Sequence, residues 1–108
     1  MLFLEVINND KHSALQKLER AYSLQPNNPM VLNHLANHFF MKDRDNEFDR
    51  MKNLATNAFK NTELETIKAE SSYMLGRLFH NRGEYNKAKE FYSHSLKFWY
   101  VGNYIHSD

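Results

Sequence analysis

Residues 72–79, Ser72-Tyr73-Met74-Leu75-Gly76-Arg77-Leu78-Phe79, restate the design of residues 32–39, Leu32-Asn33-His34-Leu35-Ala36-Asn37-His38-Phe39. Each stretch sets a leucine directly before a very small residue and places an aromatic one helical turn later. On an α-helix these positions share one stripe. There the small residue admits a neighbouring helix and the aromatic fills the space beside it. A second pattern separates and flanks these two: Ala14-x3-Leu18-x2-Ala21, Met51-x3-Ala55-x2-Ala58 and Ala88-x3-Tyr92-x2-Ser95. Two helix types in alternation describe a repeated helix pair.

The rest of the composition agrees with a chain that is nearly all helix. Only 3 Gly and 2 Pro occur in 108 residues, while apolar side chains recur at three- and four-residue steps. Punctuation falls at Asn8-Asn9-Asp10, Gln25-Pro26-Asn27-Asn28-Pro29, Lys42-Asp43-Arg44-Asp45, Asn61-Thr62 and Asn81-Arg82-Gly83-Glu84, which predicts six helical segments. Thr62 with Glu65 has the form of a capping box, and Asp45 or Asn46 can cap another helix start. The small-residue landmarks, Ala36 and Gly76, lie 40 residues apart, and the charged Lys42–Glu47 loop supplies part of that length.

Charge and cysteine content narrow the function. Fourteen Lys plus Arg against 13 Asp plus Glu leave a net charge of +1, so no broad field points to nucleic acid or to an acidic membrane. With Cys 0 there are no disulfides and no thiolate metal sites. The apolar opening Met1-Leu2-Phe3-Leu4 is short, lacks a basic start, and does not read as a signal peptide. Nothing later is continuously apolar over a membrane span, so the chain reads as soluble.

The helix-pair pattern resembles the tetratricopeptide repeat, with its W-x2-L-G-x2-Y…A-x3-F…P signature. Ser72 to Leu96 carries the resemblance best, with Gly83 in the turn and Tyr85 opening the second helix. Pro26 falls where the terminal proline of a repeat is expected. The resemblance implies an all-α, TPR-like α-solenoid of antiparallel helix pairs, truncated at both ends. Residues 1–24 form a partial repeat, 25–60 and 61–98 form full ones, and 99–108 start a missing element or a tail. The 40-residue spacing departs from the family's usual length of about 34.

A more specific resemblance rests on Gln25-Pro26-Asn27-Asn28-Pro29-Met30-Val31-Leu32-Asn33-His34-Leu35-Ala36-Asn37-His38-Phe39-Phe40, continuing in Ala58-Phe59-Lys60-Asn61-Thr62-Glu63 and Ala69-Glu70-Ser71-Ser72-Tyr73. These look like the TPR scaffold subunit of the polymerase-associated factor complex of RNA polymerase II elongation. That family implies a nuclear, non-enzymatic scaffold that organises sibling subunits and supports histone modification.

His34 and His38, one helical turn apart, raise the question of a metal site. No glutamate follows the first histidine as zinc proteases need, Leu35 and Ala36 between them are required for packing, and His12, His80, His94 and His106 lie on other segments. We therefore expect no metal and no cofactor. No nucleophile elbow, phosphate loop or paired-carboxylate constellation appears, so no catalytic residue is expected. Glu63, Glu65 and Glu70, near Lys68, read as solvated charges, and the 42–47 loop reads as a solvent-exposed turn. The Phe98-Trp99-Tyr100 cluster is expected to pack against a following repeat.

Binding remains. In the repeat geometry the first helix of each pair lines the concave face, which places Asn33, Asn37, Phe40, Tyr73, Arg77 and His80 in a protein-binding groove. Asn offers both donor and acceptor to an extended peptide, and Arg77 can take a carboxylate. Expected partners are sibling subunits of the complex or peptide segments of them, with no membrane, small-molecule or direct nucleic-acid ligand. A chaperone-tail clamp is a second possibility, but only Asn37 fits its pattern, since Asn33 and Met74 replace its lysine and second asparagine. RNA binding by a helical repeat is a third, which the near-neutral charge opposes.

Overall fold

In the computed structural model, which describes residues 2–105 and the side chains of residues 12–103, five α-helices follow one another among the described residues. They are α1 (Leu2–Leu24), α2 (Pro29–Asp43), α3 (Phe48–Lys60), α4 (Glu65–Asn81) and α5 (Tyr85–Tyr100), and α5 runs on into a π-helical turn at Val101–Ile105. The fold is all-α and TPR-like, with α2 paired to α3 and α4 paired to α5. Short connections of a few residues reverse the chain between successive helices. The reversal is visible in α4 and α5, where Ser95 donates to the Ala69 carbonyl (2.7 Å) near one end and His80 meets Tyr85 near the other. The Cα radius of gyration is 15.1 Å, against about 13 Å for a globule of this length, as stacking rather than wrapping requires.

Local chemistry sets the helix ends. Asn28 caps α2, its Oδ1 accepting from the Met30 amide (2.9 Å) and the Val31 amide (3.3 Å), with Pro29 at the first helical position, where no amide donor is needed. At the end of α4, Gly83 takes a φ of 81°, which lets its amide reach the His80 carbonyl (3.0 Å) and the Glu84 amide reach that of Phe79 (2.9 Å). This is a Schellman closure, and it satisfies carbonyls the helix would leave open.

Three local expectations fail. The break at Asn8-Asn9-Asp10 does not occur, because α1 continues through it. Asn and Asp cost only a few tenths of a kcal/mol each in a helix interior and keep their amide donors, unlike Pro. The Thr62–Glu65 capping box is absent, since Leu64 stands at the cap and Glu65 is the first helical residue. Thr62 instead accepts from the Leu64 amide (3.1 Å), a hydroxyl turn that shapes the entry to α4. Neither Asp45 nor Asn46 caps α3, whose cap position is Glu47 with no side-chain bond.

The core follows the two patterns. Leu35, Ala36, Phe39, Leu75, Gly76 and Phe79 are all buried, together with Leu32, Leu54 and Leu78. The second-helix pattern is fully enclosed in α3, where Met51, Ala55 and Ala58 are 0% exposed. In α1 the equivalent Ala14 is exposed and Leu18 and Ala21 are only half-buried. The difference is in the neighbours, since among the described residues α3 lies against both α2 and α4 whereas α1 packs on α2 alone. No helix among the described residues is long and apolar enough to cross a membrane.

Gly76 is the tightest point. A Cβ added there would lie 2.6 Å and 2.7 Å from two ring carbons of Tyr92 on α5, inside any normal contact. Gly76→Ala should therefore push the pair apart, and Ala36→Leu should overpack the fully buried position on α2. Each is expected to cost about 1–3 kcal/mol in urea unfolding. Wild-type midpoints in both variants would refute this packing.

Candidate protein-binding groove

The two first helices, α2 and α4, run side by side in the same direction, and a row of polar contacts joins them. Ser71 on α4 meets Asn33 Oδ1 (2.9 Å), Arg77 donates to Asn37 Oδ1 (3.2 Å) and to the Met41 sulfur (3.8 Å), and Asn81 donates to Asp45 (3.3 Å). Between the two helices runs an open groove, walled at one end by Asn33, His34, Asn37, Glu70 and Tyr73. At the other end it is walled by Phe40, Arg44, Arg77, His80, Tyr85 and Tyr92. Arg77 belongs to both stretches.

All six residues singled out from the sequence meet along this groove, but two do not project into it. Asn33 is buried, with its amide nitrogen unpaired among the described residues. Ser71 has one hydroxyl proton for two acceptors, Asn33 Oδ1 and the Ile67 carbonyl (3.1 Å), so either orientation of the Asn33 amide leaves one of its ends without a partner. Phe40 is buried as well, with the Arg77 guanidinium 4.0 Å and the Arg44 guanidinium 4.4 Å from its ring centre. Asn37, Tyr73 and His80 are exposed, and Arg77 is half-buried. Sequence projection finds the face but not how far α4 overlaps α2, which is what buries Asn33 and Phe40.

Tyr92, Tyr85 and Arg44 complete the cluster and were not singled out. Tyr92 reaches it from α5, its hydroxyl 3.2 Å from His80 Nδ1 and its ring 5.7 Å from that of Tyr73. The His80 ring is edge-on to Tyr85 (5.6 Å). Only Arg44 had a usable signal, since Phe40 and Arg44 stand one helical turn apart and share a face. The 42–47 turn is thus more than a solvated loop, because Asp45 and Arg44 both engage the groove.

Electrostatics favour a neutral Tyr92. Burial pushes its pKa above the usual 10.0 and the neighbouring Tyr73 adds to this, while Arg77 pulls the other way. A raised value means the folded chain holds this proton more tightly than the unfolded chain, so the contribution is complete below pH 10.0 and is lost as pH climbs through the folded-state value. Tyr92→Phe should remove that alkaline component of a stability–pH curve. Parallel curves for the two proteins above pH 10 would show that burial there is ineffective.

Of the histidine pair, His34 walls the groove and His38 does not. His34 is exposed and His38 half-buried, its Nε2 enclosed without a partner among the described residues and its ring edge-on to Phe39 (5.9 Å). Among the described residues no three of His, Cys, Asp and Glu come together. Equimolar zinc should leave the melting temperature unchanged. A rise that disappears in His38→Ala would reveal a metal site. At the far end of α5, Phe98 packs edge-on against Phe59 (5.5 Å), while Trp99 and Tyr100 are 48% and 57% exposed. Leu96 and Trp99 line a hollow between α4 and α5.

Stacked helix pairs with a polar and aromatic groove along their first helices define a tetratricopeptide-type helical repeat. Within that class the chain is a CTR9-like TPR segment. Over 98% of its length it is 35% identical to the RNA polymerase-associated protein CTR9 of Caenorhabditis elegans, of which it covers 10%. It is 29% identical over 77% of its length to the Protein CTR9 homolog of Arabidopsis thaliana (7% of that protein). A further match, 27% identical over 84% of the chain, is Tetratricopeptide repeat protein 1 of Schizosaccharomyces pombe (9% of that protein). The chain thus spans a tenth or less of the length of these curated relatives. No family model matches it.

Proposed function

We propose that this chain is a non-enzymatic protein-binding segment of a scaffold subunit in the nuclear RNA polymerase II-associated elongation complex, where it helps assemble the machinery that supports elongation and histone modification. The observation that carries this reading is similarity over nearly the whole chain to a protein whose name associates it with RNA polymerase. The groove between α2 and α4 supports it, because its exposed Tyr73 and half-buried Arg77 are of the residue types that dominate interface energetics. In this reading residues 25–60 and 61–98 are the repeat units, 1–24 a partial one, and 99–108 the start of a further element. Asn33, Asn37, Phe40, Tyr73, Arg77 and His80 form the contact surface for a segment of a sibling subunit, with Asn33 and Phe40 supporting it from beneath.

The groove spans only two first helices, so the chain alone should bind weakly and gain from neighbouring repeats. Tyr73→Ala combined with Arg77→Ala should reduce recovery of sibling subunits from nuclear extract while circular dichroism stays at wild-type helicity. Equal recovery of every sibling would place the contact elsewhere.

A further inference from the structure

Two guanidinium groups share the Phe40 ring. The Arg77 carbon lies 4.0 Å and the Arg44 carbon 4.4 Å from its centre, so the two cations stand no farther apart than the sum of these distances. Among the described residues neither has a carboxylate within ion-pair distance, whereas Arg50, Arg82 and Lys87 each do. Stacking fixes the plane of a guanidinium without neutralising it, so its remaining N–H groups can meet the oxygens of an anion. Arg77 directs bonds to Asn37 and Met41, and Arg44 makes no side-chain hydrogen bond among the described residues. Both arginines line one cleft together with the exposed Tyr85 and with Tyr92, whose pKa burial raises. Two like charges without a carboxylate partner at one cleft favour an anion there.

We infer that this cleft holds the carboxylates of a short acidic stretch in the protein segment that occupies the groove. The inference rests on the groove being a protein-binding surface and supplies the chemistry of its occupant. A short stretch is indicated because the opposite end of the groove shares Arg77 but adds the carboxylate of Glu70 and not a second arginine. Protein is favoured over nucleic acid because a net charge of +1 and the nearby Asp45 offer no extended track for a phosphate backbone.

The test is fluorescence anisotropy with the full chain and a labelled octa-glutamate peptide, with octa-glutamine, a phosphoserine peptide and oligo-uridine as comparison arms. Octa-glutamate should bind and octa-glutamine should not. Affinity should fall about tenfold or more in Arg44→Glu, less in Arg44→Gln, and least in Arg44→Lys, which keeps the charge but loses the planar fork. Arg44 is exposed at a helix end and among the described residues its ring contact is with Phe40, so these variants should keep wild-type unfolding midpoints. Raising salt from about 50 to about 200 mM should weaken binding. The assignment is overturned if octa-glutamate fails to bind, if it binds Arg44→Glu as well as wild type, or if oligo-uridine or the phosphoserine peptide alone binds. Failure here with sibling recovery still lost in the Tyr73 and Arg77 double variant would remove only the acidic-segment assignment. Undiminished recovery in that variant would remove the groove itself.

Discussion

The contact between the Gly76 backbone and the Tyr92 ring governs both packing and surface. Where the second-helix pattern has Ala55 on α3, it has an aromatic on α5, and the partner helix makes room by carrying no side chain at all. Once seated on Gly76, the Tyr92 ring has its position fixed. Its hydroxyl then reaches His80 and its face tilts toward Tyr73. Core and groove are therefore not separate layers, because one side chain belongs to both.

The same economy applies between α2 and α4. Ser71 and Arg77 hold the two first helices in register through Asn33 and Asn37, and Asn81 ties α4 to Asp45 in the turn after α2. Several of these side chains also line the groove, so a substitution there acts on the stacking of the repeats as well as on any contact. The exposed ion pairs, by contrast, contribute little, as three solvated pairs at 3.7–4.0 Å would. Cations set against rings recur instead, with Arg50 4.1 Å from the Phe39 centre and Arg82 4.1 Å from that of Phe48. Long basic side chains thus cover aromatic rings that lie near the surface.

What the sequence disclosed was periodic. Leu35, Ala36 and Phe39 could be matched to Leu75, Gly76 and Phe79 because helical spacing is a local property, and all six are core. The helix starts were harder. A threonine followed three residues later by a glutamate fits a capping box, yet the chain reaches its helical path two residues later than that fit requires, and Thr62 closes a preceding turn instead. Helix continuity through Asn8-Asn9-Asp10 shows the converse, a weak local signal overruled. Asn33 and Phe40 illustrate the limit for the groove. Which face they occupy follows from their spacing, but their burial depends on how far a helix some 40 residues away slides across them, and no local rule encodes that distance.

The unequal enclosure of the second helices also bears on how the chain opens. Each helix touches mainly its sequence neighbours, so the molecule behaves as a one-dimensional row of coupled units rather than a single all-or-none body. The described side chains of α1 are held from one side only, while α3 is clasped from two. Amide protection should accordingly be graded, lowest in α1 and highest in α3 and the helices that clasp it, and opening should travel inward from α1 as successive helices lose their neighbour. A segment built this way borrows order from whatever packs against its flank, so its rigidity is a property of the stack as much as of its own residues.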